Sequence, residues 1–290
     1  MRVGVAGFGK MGSAMAMRLR ESETNVLVWS RNGSIAQEAG FSVAASPKAL
    51  AAECDLVITS LFDASAVYAV YEGPEGLIAG CADTLFVEMS TLAPATQRAL
   101  SHAVACAGGS FLECPVSGTT GPARAGQLLG LVGGNLADVD RARPLLSKLC
   151  RRIEHIGDVG AASTAKLAIN LPLLAFWQSF GEAVALMRKL GMSPTDLVAL
   201  FGETAGAPAV LKVKAQAVVA TLAGSDTVAP TYDIDAMRKD LGLMLEEARA
   251  GGFSIPVAQA ILASLDEAAS AGWGMRDCAW VPAYWASKAT

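Results

Sequence analysis

Residues 160–191 read GAASTAKLAINLPLLAFWQSFGEAVALMRKLG, and the organisation of the whole chain follows from how this stretch folds. No glycine falls between Gly160 and Gly181, and apolar residues occupy every helical face through Leu167, Leu171, Leu174, Phe176 and Phe180. The pattern predicts one long helix, and a helix apolar all round is expected to be buried. Its first turns carry two unexpected polar residues, Lys166 and Asn170, which are four positions apart and therefore share a face. Two readings of that pair stay open at this point. Lys166 snorkels to the surface from the helix end while Asn170 satisfies a neighbouring carbonyl, or Lys166 is an acid/base group with an amide beside it. Pro172 removes one helical hydrogen bond close by and is expected to bend the helix there.

Outward from this stretch, composition sets bounds. The chain has 290 residues, 52% hydrophobic and 17% charged, which suits two domains with sizeable cores. The net charge is −4 with no basic run, which argues against a nucleic-acid or anionic-membrane surface. Six cysteines stand singly and the two histidines, His102 and His155, are far apart, so no metal site is expected. A strand-like start with no signal-peptide pattern and no bilayer-length apolar run points to a cytoplasmic protein.

The N-terminal half alternates strand and helix. Arg2 to Ala6 reads as a short buried strand, then Gly7-Phe8-Gly9-Lys10-Met11-Gly12 leads into a helical pattern. This is GxGxxG between strand and helix, the setting of a dinucleotide-binding turn. Gly7 makes the tight turn, Gly9 lets the backbone approach a pyrophosphate, and Gly12 allows close helix packing. The helix N-terminus then offers its N–H groups to the phosphates. The second strand, Asn25 to Trp29, ends in Ser30-Arg31-Asn32, where an acid would favour NAD(H). A hydroxyl and a guanidinium stand there instead, so NADP(H) is expected over NAD(H). Asp55–Phe62 and Thr84–Val87 read as parallel strands whose ends, Leu61-Phe62 and Ser90-Thr91, face the cofactor. Pro115 to Gly121 is expected to be an irregular loop, and its Ser117, Gly118 and Thr119 suit a carboxylate.

After the long helix only helices are expected, starting at Pro194 and Pro208 and covering Ile234–Arg249, Pro256–Ala271 and Asp277–Ala286. The predicted class is α/β, with a doubly wound Rossmann-type sheet over 1–161, the long helix over 162–191 and an all-α domain over 192–290. Lys239-Asp240, judged locally, reads as an ordinary exposed charge pair.

Taken together, VAGFGKMGSAMAMRL, CPVSGTTGPARAG, KLAIN, MRKDLGLMLEEA and GWGMRDCAW resemble the β-hydroxyacid dehydrogenases over essentially the whole chain. That family includes 3-hydroxyisobutyrate dehydrogenase and the glyoxylate/succinic semialdehyde reductases, with a 6-phosphogluconate dehydrogenase-type cofactor domain. The resemblance implies a catalytic Lys166 with Asn170 beside it, a substrate carboxylate on Ser117, Gly118 and Thr119, and cofactor contacts at Thr91 and Lys239. It also implies a small carbonyl or hydroxy-acid substrate and a homodimer, some relatives forming tetramers. Thr119 replaces the usual second glycine of the substrate loop and Ile169 the usual first asparagine of the lysine motif. A lysine can move the proton when burial lowers its ordinary pKa of about 10.4. Two alternatives are weighed: an imine reductase, which generally lacks this lysine, and a non-catalytic dinucleotide-binding protein.

Overall fold

Short apolar strands separated by helices build the first half of this computed structural model, which describes residues 2–288. The order is β1 (Arg2–Ala6), α1 (Lys10–Glu21), β2 (Asn25–Trp29), α2 (Ser34–Glu38), β3 (Ser42–Val43), α3 (Pro47–Glu53), β4 (Leu56–Thr59) and α4 (Ala64–Tyr71). It continues through β5 (Leu85–Glu88), α5 (Pro94–Cys106), β6 (Ser110–Glu113), β7 (Val116–Ser117), α6 (Thr120–Ala125), β8 (Leu128–Gly133), α7 (Leu136–Leu149) and β9 (Cys150–Gly157). The sheet runs β3-β2-β1-β4-β5-β6-β8-β7, with β9 also on β8.

The strands are apolar on both faces because helices cover both faces. Leu56 and Ile58 enter one core with Val3, Val5 and Leu85, whereas Val57 between them enters the other with Phe86 and Phe111. That period of two is the strand geometry read directly from packing. Each such fully buried side chain contributes about 1.5–3 kcal/mol relative to exposure.

Two expectations for this half need correction. Strand and helix do not alternate throughout: β7 follows β6 with no helix between, and β8 pairs antiparallel with both, through Glu113↔Gly133, Val116↔Gly130 and Ser117↔Leu129. The constant register means that β6 and β7 are one ladder along β8, interrupted at Cys114-Pro115, where proline has no N–H to donate. Within Pro115 to Gly121, expected to be an irregular loop throughout, Val116-Ser117 form strand and Thr120-Gly121 open α6, while Pro115, Gly118 and Thr119 are irregular as expected.

The second half is helical: α8 (Ala161–Met187), α9 (Pro194–Gly202), α10 (Ala209–Leu222), α11 (Ile234–Ala250), α12 (Pro256–Ala268) and α13 (Val281–Lys288). Compact packing divides between Leu167 and Ala168, inside α8. Ser193 and Asp233 cap α9 and α11 by accepting from the N–H groups of Asp196 (3.1 Å) and Ala236 (2.9 Å). The helix expected over Pro256–Ala271 ends at Ala268 and passes into a π turn, Ala269–Trp273, in which Gly272 has φ +87°. Asp277 sits before a 3₁₀ turn, Cys278–Trp280, and its buried carboxylate takes both oxygens' contacts from Lys214 Nζ at 2.8 Å.

The long helix forms as expected, but burial of every face does not. Leu167, Leu174, Trp177, Phe180 and Val184 make a buried stripe at helical spacing, while Ile169 is 45% and Leu186 86% exposed. Among the described residues no helix is long and apolar enough to cross a membrane.

Candidate active site

The Gly7–Gly12 turn is fixed by sterics. Gly7 donates its N–H to Trp29 O at 2.8 Å and has φ +102°, a conformation that favours glycine. A Cβ there would meet the Ser60 carbonyl oxygen, and one on Gly12 would meet the Gly7 carbonyl oxygen. Gly9 differs from both: its φ is −77° and a Cβ would meet nothing within 4 Å. It is the N-cap of α1, with no side chain to offer and no acid in the first turn. An open backbone at a helix N-terminus, held at the C-terminal edge of a parallel sheet, fits the diphosphate of a dinucleotide. Phe8 and Met11 turn their side chains inward, Phe8 edge-on to Phe41 at 5.4 Å between centroids, while Lys10 is exposed.

After β2, Ser30 Oγ donates to Asn32 O at 2.7 Å, and Asn32 Oδ1 accepts from Ser34 N and Oγ at 3.2 and 2.7 Å. These bonds fold the loop so that the exposed Arg31 projects between two anchored neighbours.

Register places Ala6, Thr59, Glu88 and Glu113 in one row across the ends of β1, β4, β5 and β6. Glu88 accepts from Thr59 Oγ1 at 2.5 Å and Ser90 N at 2.8 Å, and Ser90 Oγ accepts from Leu61 N at 2.8 Å. One buried acid thus ties together the Leu61-Phe62 and Ser90-Thr91 loops. Burial pushes its carboxyl above the usual range, against the bonds from Ser90 and Thr59. Phe62 is 56% exposed and Thr91 half-buried.

Glu113 accepts from Gly160 N at 2.6 Å, Ala162 N at 2.8 Å and Ser163 Oγ at 2.5 Å, at the start of α8. Burial again raises the carboxyl, and the Ser163 and backbone bonds oppose it. On the same ladder, Ser117 ends β7, and Gly118 has φ +132°, where a Cβ would crowd Leu128 and Pro122. Thr119 is extended at φ −106°, so a side chain stands there without backbone strain. Lys166 lies three residues beyond Ser163 on α8 and is 7% exposed.

One turn further along α8, Asn170 Nδ2 donates to Asp240 Oδ2 at 3.1 Å. Tyr232 OH donates to the same oxygen at 2.7 Å, and Lys239 Nζ lies 3.2 Å from Asp240 Oδ1. Burial and the Asp240 charge push the Tyr232 phenol up, which keeps it a donor. Asp240 is 3% exposed, so the surface-pair reading of Lys239-Asp240 is wrong: the neighbouring Tyr232 and Asn170 supply the donors that permit burial. Asp240 in turn fixes which way the Asn170 amide points. Phe176 and Trp177 are helix-packing rings, and Trp273 meets Trp280 edge-on at 5.4 Å with Arg276 over both.

Glu88 and Glu113, the buried acids that tie these loops and the start of α8 together, are given no role by sequence reasoning. Their signal was an acid closing an otherwise apolar strand, in LFVE and SFLE.

A dinucleotide turn, a lysine on a long helix and a polar loop at the sheet edge define a nicotinamide-dependent oxidoreductase. Residues 2–157 match the NAD binding domain of 6-phosphogluconate dehydrogenase, and residues 160–284 match the NAD-binding of NADP-dependent 3-hydroxyisobutyrate dehydrogenase. The chain belongs to the 3-hydroxyisobutyrate dehydrogenase family of β-hydroxyacid dehydrogenases. It is 34% identical over 257 residues to 3-hydroxyisobutyrate dehydrogenase of Pseudomonas aeruginosa, covering 87% of this chain and 86% of the relative. Glyoxylate/succinic semialdehyde reductase 1 of Arabidopsis thaliana is 30% identical over 281 residues, 96% of each chain. The crystal structure of 3-hydroxyisobutyrate dehydrogenase from Salmonella typhimurium superimposes with a TM-score of 0.86 at 25% identity, covering 98% of this chain and 99% of that one.

Proposed function

We propose that this protein interconverts a small β-hydroxy acid and its semialdehyde or keto form with NADP(H), Lys166 acting as general acid in reduction and general base in oxidation. The observation that carries the reading is a buried lysine on α8, one turn before an asparagine whose amide is held by a buried acid. NADPH, when bound, would supply hydride to a carbonyl carbon. Lys166 gives a proton to the carbonyl oxygen in the same step and is reprotonated from solvent. Asn170, oriented by Asp240, holds the reacting oxygen or the lysine. Ser117, Gly118 and Thr119 anchor the substrate carboxylate through hydroxyl and backbone donors. Gly7, Gly9 and Gly12 with the start of α1 would hold the diphosphate, Arg31 with Ser30 and Asn32 would meet the ribose 2′-phosphate, and Leu61, Phe62 and Thr91 would line the cofactor. The working form is a homodimer, supported by exposed Leu186 and Val213, with light scattering separating it from a tetramer.

The test is Lys166→Met. Loss of a positioned acid/base group should lower kcat by about 10²–10⁴-fold while NADPH affinity stays within a factor of two. Comparable turnover by the variant would remove Lys166 from the chemistry.

A further inference from the structure

A glutamate at the end of an apolar strand needs a physical reason. Taking a carboxylate out of water costs several kcal/mol unless donors replace the lost hydration. At Glu113 the replacements are specific: Gly160 N, Ala162 N and Ser163 Oγ, the opening of α8. The surroundings make room for the acid. Its ladder partner is Gly133, and a Cβ on Gly133 would overlap Glu113 Oε1. Gly160, with φ +103°, lets the chain turn so that its N–H faces the carboxylate, and a side chain there would run into Arg98.

We infer that Glu113 is a positioning residue that sets the helix carrying Lys166 in register with the strand carrying Ser117. The inference rests on the proton-transfer role proposed for Lys166. On one side, Glu113 and Ser117 belong to a single ladder along β8 and are about 13 Å apart along it. On the other, Ser163 and Lys166 are spaced as neighbours on one helix face. A helix gripped only by apolar packing can turn by one residue, which swings Lys166 by about 100° about the axis. The bond from Ser163 Oγ resists that turn, and the two backbone bonds resist sliding along the axis. A negative group at a helix N-terminus is also favoured by the aligned peptide dipoles. Glu113 touches neither substrate nor cofactor in this scheme; it acts through Lys166.

The experiment compares Glu113→Ala, Glu113→Gln, Ser163→Ala and Lys166→Met in the full chain. It uses whichever of succinic semialdehyde, glyoxylate or tartronate semialdehyde the parent reduces, with NADPH affinity from nicotinamide fluorescence. A misplaced catalytic group costs on the order of tenfold to a hundredfold, so Glu113→Ala should lose about that much kcat with KM and NADPH affinity within a factor of two. Glu113→Gln keeps an oxygen for both backbone N–H groups and should recover most of the loss. Ser163→Ala should lose about tenfold, the cost of one hydrogen bond to a charged group of roughly 1.5 kcal/mol. If Lys166→Met is inactive and Glu113→Ala keeps its parent kcat, the positioning role is overturned while the proton role stands. A parallel fall in kcat and NADPH affinity also overturns it, since that marks general loosening. Turnover by Lys166→Met overturns the proton role itself. Should Glu113→Ala not fold, an unchanged kcat in Ser163→Ala counts against the inference, and a fall confined to kcat in that variant supports it.

Discussion

The N-termini of α1 and α8 offer the same chemistry, a row of backbone N–H groups at the positive end of a helix, and the chain treats them in opposite ways. At α1 the N-cap is Gly9, without a side chain and with open space around it. At α8 the chain's own Glu113 takes the amides and Ser163 Oγ. Both sit at the C-terminal edge of one sheet. A helix end left uncapped suits an external anion, whereas one filled by an internal carboxylate is locked in place. The difference separates binding from positioning: changes at α1 belong in cofactor affinity, changes at α8 in the rate of turnover.

The contrast is sharpest at the two glycines flanking the start of α1. Gly9→Ala adds a Cβ that meets nothing within 4 Å, so unfolding free energy should fall by no more than about 1 kcal/mol, the N-cap preference for glycine over alanine, while NADPH affinity drops roughly 10–100-fold. Gly12→Ala forces a Cβ against the Gly7 carbonyl and should cost about 1–3 kcal/mol of stability as well as affinity. Denaturant melts and fluorescence titration read both, and equal stability losses in the two variants would erase the distinction.

A smaller effect is expected at Arg31. Removing a charge-assisted bond of about 1.5 kcal/mol should weaken NADPH roughly tenfold and leave NADH unchanged. A matched loss for both nucleotides would mean that Arg31 does not read the 2′-phosphate.

The mildest case concerns Glu88, whose carboxyl is raised by burial. The folded protein then holds this proton more tightly than the unfolded chain does. Its contribution is therefore fully present below the ordinary carboxylate value and is lost as pH rises through the raised one. Glu88→Gln should flatten the fall in stability above about pH 4.5, measured by denaturant midpoints across pH. An unchanged slope would assign that titration elsewhere.

Much of this was legible in the residues, for reasons that also explain the gaps. The starts at Pro194 and Ile234 follow from proline at a first helical turn and from an Asp cap before an apolar run. The Gly7–Gly12 turn is readable because each glycine answers a steric demand. β9 was not legible: CRRIEHIG looks polar because it is an outer strand with Arg151, Arg152, His155 and Ile156 exposed. β7 has two residues, too few for any period. Lys239-Asp240 misled because burial there depends on Tyr232, eight positions away, and on Asn170, seventy away. Local spacing carries no trace of such a partner. The exposed Ile169 and Leu186 show the converse, that all-round apolarity does not say what covers a helix.

The first experiment is the initial rate of NADPH oxidation by the purified protein with succinic semialdehyde, glyoxylate and tartronate semialdehyde, beside one cyclic imine and an NADH control. Saturable reduction of at least one acid, faster with NADPH than with NADH, is the predicted result. Turnover of the imine alone, with none of the acids consumed, would contradict both the carboxylate anchor at Ser117–Thr119 and the role assigned to Lys166.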